Sequence, residues 1–373
     1  MADEQQLVSD EFLRRLYRRL VTALTFYTGQ LEVERQRALK RGDLPYRILR
    51  YQHVINPEDH LYPLSRTSYV RPKTFERHCR YLAKHCHVLP LHQLASLLEK
   101  KEPIPERSVA ITFDCGYADV LSHAFPHLSL YRLPATVFLP TAYIDENNLF
   151  WYDKVLGVML LLQLHDQPFP RFPQLRDVFW EMLEEQGSLE KIELAHIALF
   201  VEELKRMPLQ PRYEIIGLLG QAADSLGGLP GAKFFLDWTD VKALGRVNIS
   251  FGTMGHGHKD FSELPHEEIV ADLNASSTAF RQQEVIPAPV FSYPEGNVTK
   301  ELRKLLPKFG IKYSVGVGPY PAPNLEKSIV PLFGRLDIFE ANSFSVDSFA
   351  CTLWEPVVSA SDAGKSDSAR STK

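Results

Sequence analysis

Short apolar runs alternate with amphipathic helical segments along most of this chain, and no other feature constrains its fold as strongly. The run SVAITFDC at 108–115 follows the helical pattern LHQLASLLEKK at 91–101, and LPATVFLPT at 133–141 comes next. The alternation resumes with VNISFGTM at 247–254 and HEEIVADLNASSTAFRQQ at 266–283. Strands joined by crossover helices pair in parallel. The pattern therefore predicts a parallel α/β sheet, either closed into a barrel or doubly wound.

Three other regions break this alternation. Residues 151–240 are almost entirely helical in pattern, which predicts a helical insertion after a strand, where α/β folds carry specificity. The pattern of residues 1–45 predicts an N-terminal amphipathic helical extension, and residues 46–355 are expected to form the main domain. Residues 356–373 have little to bury, so we expect a disordered tail.

The N-terminal extension has apolar residues at helical spacing, interleaved with arginines. These apolar residues are Phe12, Leu13, Leu16, Tyr17, Leu20, Leu24 and Tyr27. Two interpretations stay open. The helix packs on the main domain, or it contacts an anionic membrane surface.

Composition excludes several classes of protein. The chain has 373 residues and a formal net charge of −4, so it has no basic excess for nucleic acid. Four cysteines do not make a disulfide framework. The longest apolar run, VLGVMLLLQL at 155–164, is about half the length of a membrane span and predicts a buried helix. The first residues lack the order of a secretory signal, so we expect a cytoplasmic protein.

One helical pattern invites a metal-site interpretation. The stretch ERHCRYLAKHC at 76–86 concentrates histidines and cysteines. Cys79, Leu82 and Cys86 follow helical spacing and form an apolar stripe, so we interpret the cysteines as core residues and the histidines as surface residues.

Polar residues cluster where apolar runs end, which is where α/β folds place active sites. Four stretches have this form: ILRYQHVI at 48–55, VAITFDCGYAD at 109–119, ISFGTMGHGHKDFSEL at 249–264 and VFSYPEGN at 290–297. Together they locate the candidate functional site.

These stretches, with PATVFLPTAYID at 134–145 and FWYDK at 150–154, resemble the polysaccharide deacetylases of the NodB-homology type, carbohydrate esterase family 4. The resemblance covers roughly 46–150 and 245–340. It implies a distorted (β/α) barrel with a helical insertion. It also implies a role in carbohydrate metabolism: hydrolysis of the acetamide C–N bond of an N-acetylated sugar, assisted by a zinc-like divalent metal.

The resemblance assigns roles to individual residues. The family's TFDDG turn places its general base on Asp114 and its metal-binding aspartate on Cys115. The histidine motif places one metal-binding imidazole on His258 and the other on Met254. His256 is an alternative ligand, but two residues from His258 it needs a looped backbone to reach the same ion.

The acid and the substrate groove are also implied. The family's early tyrosine–histidine pair falls on Tyr51 and Gln52, which leaves His53, one place later, as the candidate acid. Arg335, near the end of a late strand, is expected to pair with Asp114 and keep it ionised. Three residues are placed in the substrate groove: Tyr51, Tyr293 and Pro294.

Several functions therefore stay open. Cys115 and His258 could hold a soft metal, or Asp114 could activate water without a metal. Cys115 as a nucleophile is disfavoured because the adjacent carboxylate raises a thiol pKa. The alternative to an enzyme is a catalytically inactive protein of a polysaccharide-assembly system that binds a glycan or a protein partner.

Overall fold

The computed structural model describes residues 17, 19–41, 43–59, 69–146, 149–164, 177–179, 181, 194–225, 233–318 and 329–354. The predicted tail at 356–373 and the first part of the N-terminal extension lie outside the described residues.

The core of the protein is a closed parallel barrel. Seven strands form the ring: β1 (Tyr46–Tyr51), β5 (Ser108–Phe113), β6 (Ala135–Leu139), β7 (Ile249–Thr253), β8 (Val290–Ser292), β9 (Tyr313–Val317) and β10 (Leu332–Asp337). Their order around the ring is β1, β10, β9, β8, β7, β6 and β5, and β5 pairs again with β1. This confirms the predicted (β/α) barrel and decides against a doubly wound sheet.

Three short strands complete the sheets. β4 (His87–Val88) pairs with the first residues of β5, outside the ring. β2 (His53–Val54) and β3 (Tyr69–Val70) form a separate two-stranded sheet that continues from the end of β1.

The barrel strands are buried on both faces, as parallel strands require. Every residue of β5 is buried. Its two hydroxyls are satisfied internally: Ser108 Oγ donates to the carbonyl of Pro105 at 2.7 Å and Thr112 Oγ1 to that of Leu49 at 2.7 Å. Burying the two hydroxyls of this strand therefore costs little free energy, because both are hydrogen-bonded.

Helices surround the ring. Their bounds are α1 (Gln30–Lys40), α2 (Pro72–His85), α3 (Leu91–Glu99), α4 (Phe125–Leu130), α5 (Trp151–Leu164), α6 (Leu194–Arg206), α7 (Leu209–Ser225), α8 (Trp238–Gly245), α9 (His266–Gln282), α10 (Lys300–Leu305), α11 (Glu340–Ser343) and α12 (Val346–Trp354). In α2, Cys79 and Leu82 are buried as predicted. His78 is also fully buried, so placing all the histidines of this helix at the surface was wrong.

The helical insertion between β6 and β7 has its own apolar core. Val155, Val158 and Met159 of α5 pack with Phe200 of α6 and Leu219 of α7. The described part of the predicted apolar run thus lies in a packed helix. Within the part of the chain that the structure describes, no helix is long and apolar enough to cross a membrane.

The N-terminal extension contacts the barrel, but most of its regularly spaced apolar residues face away from it. Residues 19–27 are helical, and Phe26 packs against the main core cluster. Leu20, Leu24 and Tyr27 instead remain 56%, 63% and 77% exposed. The described part of the helix therefore packs on the main domain through Phe26, while Leu20, Leu24 and Tyr27 point away from it.

Candidate active site

A tight turn at the end of β5 places Asp114 at the centre of the barrel mouth. The Asp114 N–H donates to the carbonyl of Tyr51 at 3.1 Å, which continues the pairing of β5 with β1. Cys115 and Gly116 follow with φ of 72° and 61°. A Cβ at Gly116 would lie 2.7 Å from Cδ2 of Leu139, so the turn requires glycine there.

Four donors converge on the Asp114 carboxylate, which is 2% exposed. Arg335 binds both oxygens, with Nη1 2.7 Å from Oδ1 and Nη2 2.9 Å from Oδ2. Arg50 donates from Nε to Oδ2 at 2.5 Å, and the Ser292 hydroxyl donates to Oδ1 at 3.2 Å. The structure therefore brings Arg335 against Asp114, where the sequence suggested it would lie.

This arrangement decides the charge of Asp114. Burial opposes ionisation, but the guanidiniums of Arg335 and Arg50 outweigh it and hold the pKa of the carboxyl well below its usual value. Arg50 is itself anchored by Asp337, with Nη1 2.8 Å from Oδ1. A carboxylate with so little affinity for a proton is a weak general base at neutral pH.

The two substituted metal positions, Cys115 and Met254, contact each other. The Cys115 N–H donates to Sδ of Met254 at 3.3 Å, so the thioether lone pair is engaged. Met254 is 2% exposed and packs in an apolar cluster with Phe150 and Phe235. Burial, and next the charge of Asp114, raise the pKa of the Cys115 thiol well above its usual value. A thiol with a raised pKa is a poor nucleophile, so this environment disfavours nucleophilic catalysis by Cys115.

The loop after β7 separates the two histidines. Asp272 of α9 accepts the N–H of His256 at 2.6 Å and that of Gly257 at 2.8 Å. The His256 ring bonds the Thr141 hydroxyl through Nδ1 at 2.9 Å. His256 is therefore engaged away from His258.

His258 points toward the β5 turn. Its Nε2 lies 3.6 Å from Sγ of Cys115, and its ring centroid lies 4.2 Å from that of Phe150. Burial lowers the pKa of the imidazole to about 4. His258 has φ of 50°, so the chain holds a strained conformation to place this ring.

The donor set does not fit the zinc site that the resemblance implies. Of its candidate ligands, Cys115 contacts both His258 and Met254, whereas the His256 ring is bonded to Thr141. The thioether of Met254 is a weak ligand for zinc. Within the described ranges, no group of three or more His, Cys, Asp and Glu side chains could hold a metal ion. The site that the resemblance implies is a catalytic zinc site, which has three protein ligands and an open position.

His53, the candidate acid, lies in a separate buried pair. Its Nδ1 is 2.6 Å from Oδ2 of Asp119, and its ring centroid lies 3.9 Å from that of Tyr117. The His53 Nε2 atom is buried and has no hydrogen-bond partner among the described residues. Asp119 thus orients the ring and leaves one nitrogen unused.

A second carboxyl lies beside this pair. The Tyr117 hydroxyl donates to Asp153 Oδ2 at 2.8 Å. Burial raises the pKa of Asp153 to about 6, although His53 and this hydrogen bond oppose the shift. Asp114 and Asp153 are therefore perturbed in opposite directions.

All three residues placed in the substrate groove are buried. Tyr51 is fully buried, packs on Phe113 and donates its hydroxyl to Nδ1 of His78 at 3.1 Å. Tyr293 is 2% exposed and packs on Phe291. Pro294 is also buried. The next residue, Glu295, is exposed and has φ of 56°.

An open pocket of about 280 Å³ lies over the barrel mouth, between the strand ends and the helical insertion. We call it the site cleft. It is lined by four aromatic side chains and several charged ones, among them Tyr143, Phe150, Trp151, Tyr213, Lys154, Arg212, His258, Asp260 and Glu295. The structure thus replaces the predicted groove residues with residues of the insertion and the loops after β6, β7 and β8.

Sequence reasoning missed Arg50, Asp119 and Asp153. Arg50 stands near the end of a mostly buried strand, and a charged side chain there needs a partner of opposite charge. Asp119 is the last residue of the stretch that contains Asp114, but the sequence does not show that it pairs with His53. Asp153 lies in FWYDK, where nothing in the local pattern indicates burial.

Comparisons with known proteins agree with this geometry. The family model described as polysaccharide deacetylase matches residues 101–314. No curated protein matches the chain. Among solved structures, IcaB from Ammonifex degensii has 15% identity and a TM-score of 0.51 over 83% of this chain and 97% of its own.

Two further structures share the fold. The deacetylase PplD from Streptococcus pyogenes, solved with acetate, has 15% identity and a TM-score of 0.50, over 83% of this chain and 98% of its own. A polysaccharide deacetylase from Bacillus cereus has 12% identity and a TM-score of 0.51, over 83% of this chain and 69% of its own. These structures show a shared fold, and the family match, which spans more than half of the chain, shows that the chain belongs to the polysaccharide deacetylase family.

Proposed function

We propose that this chain is a non-hydrolytic member of the polysaccharide deacetylase family that binds an N-acetylated glycan in the site cleft. One observation carries the proposal: the carboxylate at the position of the family's general base is saturated by Arg335, Arg50 and Ser292. A base must take a proton from water, and this carboxylate has both its charge and its lone pairs engaged by the protein.

The site cleft supports binding. Trp151 and Tyr213 are aromatic side chains that suit the apolar faces of sugar rings, and Lys154, Asp260 and His258 suit their hydroxyls. Three non-glycine residues at the barrel mouth, Cys115, His258 and Glu295, keep left-handed backbone conformations. Strain of this kind collects at functional sites. It supports a ligand-binding role over loss of all function, and the cleft favours a glycan over a protein partner.

Calorimetric titration with N-acetylglucosamine oligomers tests binding. We expect saturable binding of the wild-type chain, weakened about tenfold by Trp151→Ala, as for removal of a central aromatic contact. Leu130→Ala is the matched control, because Leu130 is 68% exposed and lies on α4, outside the cleft. No heat of binding with any oligomer, or equal loss in the control, would contradict the proposal.

Hydrolysis of the acetamide is the second candidate, and the pair of His53 with Asp119 favours it. Water would add to the acetamide carbonyl, the C–N bond would break, and the nitrogen would take a proton to leave as a free amine beside acetate. His53 has a carboxylate on Nδ1 and an unused Nε2, which is the arrangement of an acid that could protonate that nitrogen.

Acetate release separates the two candidates. We expect none above the buffer background from oligomers that bind, with or without added zinc. Release that His53→Gln abolishes would support the hydrolase instead. The expected cytoplasmic location and the place in polysaccharide assembly stay predictions.

A further inference from the structure

One face of the N-terminal helix exposes a continuous row of apolar side chains. Tyr17, Leu20, Val21, Leu24 and Tyr27 are 70%, 56%, 42%, 63% and 77% exposed. Their spacing of three and four residues places them on the same side of the helix. We call this row the apolar stripe. A row of this size on an exposed helix indicates a binding surface.

The opposite face of the helix is fixed to the barrel. Phe26 packs on the main core cluster, and the Arg19 guanidinium lies 4.8 Å from the ring centre of Phe344. The Cys351 thiol donates to the carbonyl of Thr22 at 3.7 Å. These contacts hold the stripe outward, so it cannot be covered by rotation of the helix alone.

The sequence of this segment is basic. Residues 12–31 include Arg14, Arg15, Arg18 and Arg19 and no aspartate or glutamate, in a chain whose net charge is −4. Of these arginines, Arg19 packs on the barrel side, and the other three lie outside the described residues. An apolar row in a basic sequence complements a surface that is apolar beneath and negative above. The headgroup region of an anionic lipid bilayer has that chemistry.

The size of the stripe also favours lipid over a second copy of the chain. Residues 17–27 of a helix span about 16 Å. Five side chains at these exposures offer on the order of 500–600 Å², less than the roughly 800 Å² that each partner of a stable protein complex buries. Lipid binding needs less apolar area, because each arginine near an anionic surface adds about 1 kcal/mol.

We propose that the N-terminal helix binds an anionic lipid surface with the apolar stripe at the headgroup boundary, and that the basic sequence of this segment strengthens the binding. The barrel then stays on the aqueous side, because the opposite helix face is joined to it. This inference does not depend on the proposed glycan binding.

Sedimentation of the full chain with vesicles tests the proposal. We expect binding to phosphatidylcholine vesicles that contain phosphatidylglycerol, little binding to phosphatidylcholine alone, and loss of binding at high salt. Leu20→Ser with Leu24→Ser should reduce partitioning at least tenfold. Arg14→Gln, Arg15→Gln and Arg18→Gln together should reduce it on the anionic vesicles. The matched control is Leu130→Ser with Leu199→Ser, two exposed leucines elsewhere.

Three outcomes overturn the proposal. The wild-type chain binds neither vesicle, or the control pair loses as much binding as the stripe pair. Alternatively, sedimentation without lipid shows a dimer that the stripe pair dissociates, in which case the stripe is an interface between two copies. Circular dichroism of each variant verifies that the fold is kept.

Discussion

The floor of the barrel mouth and the site cleft above it lie within one family site, yet they have opposite character. On the floor, Asp114, Arg335 and Met254 are each about 2% exposed and every polar atom of the carboxylate has a partner inside the protein. Above it, Lys154 and Tyr213 line an open pocket. The floor has the packing of a core, and the cleft has the composition of a binding surface.

This difference supports the proposed function. The thiol of Cys115 and the thioether of Met254 lie where the family has an aspartate and an imidazole, and both pack in the apolar floor. The Asp114 carboxylate is held in ion pairs with Arg335 and Arg50. The turns at Cys115, His258 and Glu295 have left-handed backbone conformations. The proposed glycan binding uses the cleft and does not require a bound metal.

Restoring the ligands on the floor should have the largest effect. The double variant Cys115→Asp with Met254→His places an aspartate and an imidazole beside the imidazole of His258. We expect it to bind one zinc ion per chain with a Kd near micromolar, a binding free energy of about 8 kcal/mol. Metal content after dialysis measures this. Cys115→Asn with Met254→Leu is the control and should bind none. A double variant without zinc would show that these motifs are wrongly aligned with the family.

Removing one partner of the buried ion pair should be next. Arg335→Met leaves Asp114 buried with Arg50 alone, and we expect the free energy of unfolding to fall by about 3–5 kcal/mol. Urea denaturation measures it. Arg281→Met, at an exposed position of α9, is the control and should change stability by less than about 0.5 kcal/mol. Similar losses in both would mean that the Asp114 network contributes nothing specific.

The pH dependence should differ in sign between the two carboxyls. Asp114 has a lowered pKa, so its contribution to stability is present above the unfolded value of about 4 and is lost as pH falls below it. Asp153, whose pKa is raised to about 6, destabilises the fold at neutral pH. This destabilisation disappears as pH falls from about 6 to 4 and the carboxyl is protonated.

Two variants measure this contrast. Asp153→Asn should stabilise the protein at pH 7, because it removes a carboxyl whose pKa is raised. We expect a gain of about 1–2 kcal/mol, reduced by the partial exposure of Asp153, and almost no gain at pH 4. Asp114→Asn should destabilise it at pH 7. The same sign for both variants in urea denaturation at pH 7 would contradict the opposite perturbation of these two carboxyls.

Relief of backbone strain should have the smallest effect. Glu295→Gly keeps φ of 56° without the cost of a Cβ, and we expect a gain of about 0.5–1 kcal/mol after the added unfolded-state entropy. Thermal denaturation measures this gain. Asp260→Gly, also at the cleft, has no left-handed conformation to relieve and should not stabilise. A loss in Glu295→Gly would mean that the side chain contributes more than the strain costs.

The alternation of buried strands and crossover helices predicted a parallel α/β sheet, and the resemblance to the deacetylase family, not the periodic pattern, specified the barrel. It also located Asp114, Cys115 and Met254, because the motifs around them are short and local. It could not show that Arg50 joins Arg335 on one carboxylate, since the closure of β1 against β5 and β10 is not visible in a local pattern. Tyr51 looked like a groove residue for the same reason: the sequence places it at a strand end but does not show which way the ring points.

Acetate release by the wild-type chain and by Asp114→Asn, with an N-acetylglucosamine oligomer at a concentration that saturates the cleft, tests the central claim most directly. We predict that neither protein releases acetate above background, with or without zinc, and that Asp114→Asn unfolds at a lower temperature. Release by the wild type that disappears in Asp114→Asn, without loss of thermal stability, would show that Asp114 is a working base and would contradict this account.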